Sequence, residues 1–416
     1  MKRKLLILLI VILSISLLTG CWDRKDIETR GYVLGVAIDM NPPSSQKAEQ
    51  NQLSKQIAEK KEKMDEMEDM DIHLGSHQYA MTVQLPILRK SGSGSQAGSG
   101  SGSGAAGKAT LEITQIGNSF FSMQREMLSR TSLSLYYEHL QVIVLSEEVA
   151  RGGVEEIIDF FVRDPEMRRR VKVFVSKDEA KDVLSVEPMI EEFSSIYLAN
   201  IPLNARSNSR IIHKTDLGEI IKLIHAGVDF VLPMVQIAVN EIKASAGAAF
   251  KDNKMVGWVS ELEMESIKLI RNLYLGGVIT VLSPEHGQGI IAMEVTSAKS
   301  KITPVIVDDE VTFNIDVKIK GNYAENMYIH THAELDDSFM HKLEIAYEKE
   351  VEKMCQNTAK RMQIEYEADV FRLNQILQTE EPAYWKEMAD HWDLMYPHVG
   401  ININADVSLQ LIGLVK

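Results

Sequence analysis

Residues 5–18 form an apolar run broken only by Ser14 and Ser16, with Lys2-Arg3-Lys4 before it and Thr19-Gly20-Cys21 after it. As a helix rising about 1.5 Å per residue, the run is roughly 21 Å long. A bilayer core needs about 30 Å, so the run fits the apolar centre of a signal peptide better than a permanent span, with its basic end left in the cytoplasm. A chain exported in this way must fold outside the cytoplasm, and this limits the structures open to it.

The end of the run reads Leu18-Thr19-Gly20-Cys21. These four residues resemble the lipobox of bacterial lipoproteins. A thiol is needed to form the thioether to diacylglycerol, and small residues before it give a membrane-embedded peptidase access to the backbone. Cys21 is therefore expected to be lipidated, with residues 1–20 removed. Two acyl chains, at about 0.8 kcal/mol per buried methylene, hold a protein stably where one is marginal. The alternative is ordinary secretion of a chain whose mature end happens to carry a cysteine.

The whole chain carries a formal charge of −14, and loss of Lys2, Arg3 and Lys4 leaves −17. Such a surface is not expected to hold nucleic acid through its phosphates or anionic lipid through charge. Membrane attachment would then rest on the anchor. Hydrophobic residues make up 45% of the chain, enough for a sizeable core without covalent staples. With Cys21 lipidated, only Cys355 remains. No intrachain disulfide and no cysteine metal site is then possible, and Cys355, within a helical pattern, is expected to be a small buried apolar residue.

Strand-like runs lie at 31–40, 78–88, 110–116, 140–145 and 171–175, and helical patterns at 118–130, 154–163 and 177–185. Phe120, Phe121, Met127 and Leu128 mark the apolar stripe of the first helix. Residues 44–71 read as an exposed helix or a disordered insertion. Residues 91–107 are almost pure Ser, Gly and Ala, a flexible loop. A second region has a helix at 216–226 and strands at 234–240 and 245–250, with a turn at 252–254 leading to another strand. A third opens with strands at 278–282, 289–296, 301–307 and 311–320. It continues into a helix of about 40 residues from Asp336, then a helix carrying Trp385 and Trp392. A strictly alternating strand at 399–411 closes the chain. The expected division is a leader at 1–20, an N-terminal α/β domain at 21–206, a small middle α+β domain at 207–271 and a C-terminal α+β domain at 272–416.

No nucleophile, metalloprotease or phosphate-loop motif stands out. Residues 102–107 match the glycine pattern of a dinucleotide loop, but they lie in a glycine tract and no strand leads into them. His330, His332 and His341 are close in sequence, yet no carboxylate motif completes a metal site, and exposed sheet histidines are far commoner. No catalytic residue, cofactor or metal is expected.

Four stretches together resemble a known family. They are CWDRKDIETRGYVLGVAID from Cys21, the long run from Leu133 through the Arg163-Asp164-Pro165 step to Lys177, GAAFKDNKMVGWVSELEMESIKLI from Gly247, and Asp369, Phe371, Pro382 and Trp385 near the end. The family is the GerAC/GerBC-type C subunit of spore germinant receptors. Arg372 stands where the family tends to have glycine, so the turn after Phe371 is expected to be built differently.

The resemblance implies an α+β protein of three domains, each with a mixed or antiparallel sheet flanked by helices. It implies a lipid-anchored, non-enzymatic subunit on the outer face of the cytoplasmic membrane, the spore inner membrane. It also implies two polytopic membrane subunits as partners. The competing reading is a lipoprotein that binds a small solute directly, as a sensor or a transport binding protein. The β-rich start of the third region argues against the two doubly wound lobes of a transport binding protein. The long helix and the Trp385/Trp392 helix carry more apolar residues than one small sheet readily covers; the two tryptophans are expected either to pack in the core or, if part of that face is exposed, to mark the contact with a membrane subunit.

Overall fold

The computed structural model describes residues 29–41, 78–87, 109–213, 215–239, 241–285, 289–327 and 336–411. Leu18, Thr19, Gly20 and Cys21, the segments 44–71 and 91–107, and His330 and His332 lie outside the described residues.

The larger sheet grows from buried parallel strands. β2 (Gly35–Met40), β6 (Val142–Ser146) and β7 (Lys172–Ser176) run side by side, and Val142, Ile143, Val144 and Leu145 are wholly buried. A parallel strand covered on both faces reads as a continuous apolar run, as this one does. Alternate residues feed opposite faces. Ile143 and Leu145 join α1 (Phe120–Met127), α2 (Glu147–Gly152), α3 (Glu155–Arg163) and α6 (Leu217–His225). Val142 and Val144 join α4 (Ala180–Ser185) and α5 (Ser194–Asn200). On one side the antiparallel strands β3 (Tyr79–Pro86) and β4 (Thr110–Gly117) lie beyond β2; on the other, β8 (Phe230–Ala238) adds one more parallel strand beside β7, and β9 (Glu241–Lys251) and β10 (Lys254–Val259) follow it antiparallel. β1 (Arg30–Tyr32) and β5 (Ser134–Tyr136) form a separate parallel pair.

The expected boundary at 206/207 is crossed by this sheet. β8 pairs with β7 through Val175–Met234 and Ser176–Val235, so the strands of 207–271 continue the N-terminal sheet and form none of their own. The α+β class holds, with sheets flanked by helices.

The second sheet contains β11 (Gly277–Leu282), β12 (Ile290–Val307), β13 (Glu310–Asn326) and β14 (Gly400–Leu411), in that order. The strands expected at 289–296 and 301–307 are one. Register shifts at Ala292/Met293 and Val295/Ser297 disturb the apolar alternation without breaking the ladder. α8 (Asp337–Ile364) lies across one face, capped by the Asp336 carboxylate, which accepts the Phe339 N–H at 2.7 Å. Every fourth residue along it is buried: Phe339, Leu343, Tyr347, Val351, Cys355 and Ala359.

The helix expected to run about 40 residues ends at Ile364. Glu367 (φ 48°) and Arg372 (φ 63°) adopt the left-handed conformation, and between them Ala368, Val370 and Phe371 turn inward. A new helix, α9 (Leu373–Glu380), starts with its first N–H groups on the Asp369 carboxylate, Leu373 at 2.9 Å and Asn374 at 2.9 Å. The Trp385/Trp392 helix is also divided, into α10 (Pro382–Met388) and α11 (Trp392–Met395) with a 3-10 turn between them.

α7 (Glu261–Ile270) joins the two sheets. Ser260 and Glu263 cap it reciprocally, and it packs on β9, β12 and α8. Residues 264–270 are all buried, charged ones included. Glu265 accepts hydrogen bonds from Ser209 Oγ at 2.9 Å and Tyr274 OH at 2.8 Å. Lys268 Nζ donates to the carbonyls of Ser209 at 2.7 Å and Ile211 at 2.8 Å. Those bonds keep the buried ammonium in place although desolvation lowers its pKa to about 8.

Candidate functional site

The described chain begins at Thr29, eight residues after Cys21, and β1 leads it between two clefts. One, of about 520 Å³, is lined by Arg30, Phe121, Arg125, Leu128, Tyr136 and Arg163. The other, of about 740 Å³, is lined by Tyr32, Leu34, Ile87, His139, Phe193 and Ile196. They meet at an aromatic trio: the Tyr32 ring stands edge-on to Tyr136 at 6.0 Å and to His139 at 5.0 Å.

α1 explains the first cleft. Ser119 caps the helix, so successive residues turn about 100° and Phe120 and Phe121 cannot both face inward. Phe120 goes in, between Tyr79 at 5.0 Å and Phe160 at 5.5 Å. Phe121 goes out, 57% exposed, with the Arg125 guanidinium 5.0 Å from its ring centre. Leu128 also faces out. The sequence reading placed both on the buried stripe, whose third member is Met123 instead. Across the cleft, the Arg30 guanidinium lies 4.1 Å from the centre of the Tyr136 ring. Exposed apolar surface edged by stacked arginines suits contact with another molecule.

The apolar stripe of α8 is covered by the second sheet. Trp392 is buried, edge-on to Phe313 at 6.3 Å and Trp385 at 5.7 Å, so the tryptophans belong to the core. The outward side of α8 carries His341, Lys342, Lys349, Lys353 and Lys360. A third side of the helix meets the edge of β14. Glu344, Glu348 and Glu352 accept the backbone N–H groups of Leu409 at 2.9 Å, Val407 at 3.2 Å and Ala405 at 3.1 Å. Four helical residues advance about 6 Å and two strand residues about 6.7 Å, so the match lasts for three steps. Carboxylates here take the place of a neighbouring strand.

Several groups that resemble catalytic parts are structural. Cys355 is buried and burial pushes its thiol up to about 12, far from a reactive thiolate. Asp229 and Asp369 form a contact, the Asp369 N–H donating to Asp229 Oδ2 at 2.7 Å. Burial raises Asp229 to about 6 and Asp369 to about 7, but the Asp369 carboxylate is enclosed and caps α9. Asp39, raised to about 6 by burial, caps α4 through the N–H groups of Ala180 and Lys181. His341 is exposed on α8, its Nδ1 3.8 Å from Glu344. Among the described residues, no three His, Cys, Asp or Glu side chains are grouped to hold a metal, and no helix is long and apolar enough to cross a membrane.

Residues 23–237 match the family described as spore germination protein N-terminal domain, and residues 245–413 match spore germination B3/GerAC like, C-terminal. The chain belongs to the GerAC/GerBC-type family of spore germination proteins. Spore germination protein YndF of Bacillus subtilis (strain 168) is 29% identical, over all of this chain and 98% of its own. Spore germination protein B3 of the same organism is 26% identical over 95% of this chain and 94% of its own. The crystal structure of the GerBC protein superposes with a TM-score of 0.56 at 23% identity, over 82% of this chain and 95% of that one, a likeness of fold.

Within this family member, the motif residues serve the architecture. His139 meets the Tyr32 ring edge-on, and Asp164 turns the chain by accepting the Glu166 N–H at 2.9 Å. Asp252 and Asn253, both at positive φ, make the β9–β10 turn. Asp369 caps α9, and Pro382 opens α10. Arg372, at the position where a glycine was expected, takes the left-handed backbone itself. Sequence reasoning missed the outward Phe121/Arg125 pair, which helical phasing from Ser119 could have shown. It also missed the Glu344/Glu348/Glu352 row, whose spacing of four is visible but whose strand partner is not.

Proposed function

We propose that this protein is the lipid-anchored, non-enzymatic C subunit of a spore germinant receptor. Diacylglycerol on Cys21 holds it to the outer face of the cytoplasmic membrane, the spore inner membrane. It serves nutrient-triggered germination through contacts with two polytopic membrane subunits. The observation that carries this reading is the family match, which runs through both family segments in order from residue 23 to residue 413. The Leu18-Thr19-Gly20-Cys21 sequence supports the anchor, since the thiol of Cys21 is the group suited to a thioether at that point. The exposed Phe121/Leu128 cleft, reached at Arg30 nine residues after Cys21 along the chain, supports contacts made close to the membrane.

The test is affinity capture of the tagged protein from solubilised spore membranes, alongside acyl labelling of the wild type and of Cys21→Ala. The expected results are two polytopic proteins in fixed ratio, and loss of label and membrane retention in the variant. Acyl-labelled Cys21→Ala protein would refute the anchor, and capture without any polytopic protein would refute the receptor reading.

A further inference from the structure

We propose that the cleft between α7, β12 and α9 binds a small organic anion, its carboxylate or phosphate clamped between Arg271 and Arg372. The cleft measures about 390 Å³, within the usual range for small ligands. Ile270, Ile302 and Ile376 give it apolar walls, and Arg271 and Arg372 line it from two elements that are about a hundred residues apart in sequence. Its floor is fixed: Ser300 Oγ donates to the Ile270 carbonyl at 2.8 Å, and the Ser300 N–H donates to Asn272 Oδ1 at 3.2 Å.

The carboxylates of Asp369 and Glu219 attract both guanidinium groups without pairing with either. Among the described residues neither makes an ion pair or a side-chain hydrogen bond, and Arg372 Nε is fully buried with no acceptor in reach. Burial lowers Arg271 to about 10, and the like charge of Arg372 adds to the effect. Burial lowers Arg372 too. The two acids that attract them have other partners. The Asp369 carboxylate holds the N–H groups of Leu373 and Asn374. Glu219, on α6, has Lys222 at 3.6 Å. Glu380 is exposed at the cleft.

Two partly desolvated like charges without a partner are costly in the empty protein. An oxyanion between them would relieve that cost and meet the planar donors of arginine in pairs. The backbone adds a separate sign. Arg372 sits at φ 63°, where glycine is at ease and a side chain is strained. The position bears that strain while placing a cation at a cleft where, among the described residues, no carboxylate pairs with it.

The experiment follows thermal unfolding of the full mature chain in detergent with 4-methylpentanoate, inorganic phosphate or chloride at matched ionic strength. The expected result is a saturable rise in Tm, beyond that in chloride, with one or both oxyanions. A rise with phosphate alone assigns the clamp to phosphate, and a rise with 4-methylpentanoate alone assigns it to carboxylates with an apolar body. Arg271→Gln and Arg372→Gly should abolish the rise. Arg372→Gly suits the left-handed backbone, so it should fold at least as well as the wild type, and Arg372→Asn, which also tolerates that backbone, provides a second variant. No rise beyond chloride, or a rise undiminished in Arg372→Gly and Arg372→Asn, overturns the proposal.

Discussion

Asp369→Asn should flatten the dependence of stability on pH. In the folded protein burial raises the Asp369 carboxyl from 3.8 to about 7. A raised acid binds its proton more tightly folded than unfolded, so its contribution to stability is full below about pH 4 and is lost as pH climbs through about 7. Between pH 5 and pH 8 the unfolded carboxyl is ionised throughout, while the folded one changes from protonated to ionised at about 7. At about 1.4 kcal/mol per pH unit, this range removes about 3 kcal/mol. That is an upper value, because Asp369 and Asp229 repel and titrate as a pair. An Asn at 369 keeps one acceptor for the N–H groups of Leu373 and Asn374, so it weakens the cap by about 1–3 kcal/mol at every pH. The difference in slope is therefore the informative quantity. Asp39 contributes the same slope in both proteins, Asp229 slopes in the same direction but less steeply once the neighbouring charge is gone, and Lys268, lowered to about 8, acts with the opposite sign in a window above that pH. Urea unfolding at pH 5, 6, 7 and 8 and constant ionic strength measures it. If the variant loses as much stability from pH 5 to pH 8 as the wild type, Asp369 is not the group that titrates and the reasoning fails.

Three further outcomes follow from the packing. Gly257→Ala places a methyl 2.5 Å from the Tyr366 hydroxyl oxygen, so the ring must move and its 2.8 Å bond to the Trp258 carbonyl is lost; a loss of about 2–3 kcal/mol is expected in chemical unfolding. Replacing Glu344, Glu348 and Glu352 together by Ala removes three hydrogen bonds at about 0.5–1.5 kcal/mol each and opens the β14 edge, so the protein should lose stability and self-associate on size-exclusion chromatography. Cys355, with its thiol pushed up to about 12, should resist alkylation at pH 8 until denaturant unfolds the chain, as mass spectrometry would register.

The strands were legible where burial was simplest. The run 140–145 announces a parallel strand covered on both faces, and the alternation at 399–411 announces β14 with one face on α8. Partners were not legible, because an apolar run does not say which strand lies beside it; β8 reads the same whether it joins β7 or opens a sheet of its own. The end of α8 was hidden for another reason. The turn after it rests on left-handed Glu367 and Arg372, residue types that give no local warning of such a backbone. Short elements such as β5 and α5 escaped because three to seven residues carry too little periodicity. The Arg271/Arg372 cleft was beyond reach altogether, since its two cations become neighbours only when α9 folds back towards the end of α7.

The hairpin joining β8 to β9 has a bearing on how the chain comes into being. The N-terminal family segment ends at residue 237 and the C-terminal one starts at residue 245, yet β9 and β10 complete the sheet of the first. A chain growing from its N-terminus therefore reaches residue 238 with β8 as a bare edge, its N–H and C=O groups open to any passing strand. It stays so until the next twenty or so residues have emerged. A fragment cut at the family boundary would keep that edge for its lifetime, and fragments meant to fold alone should instead extend past Val259, the last residue of β10.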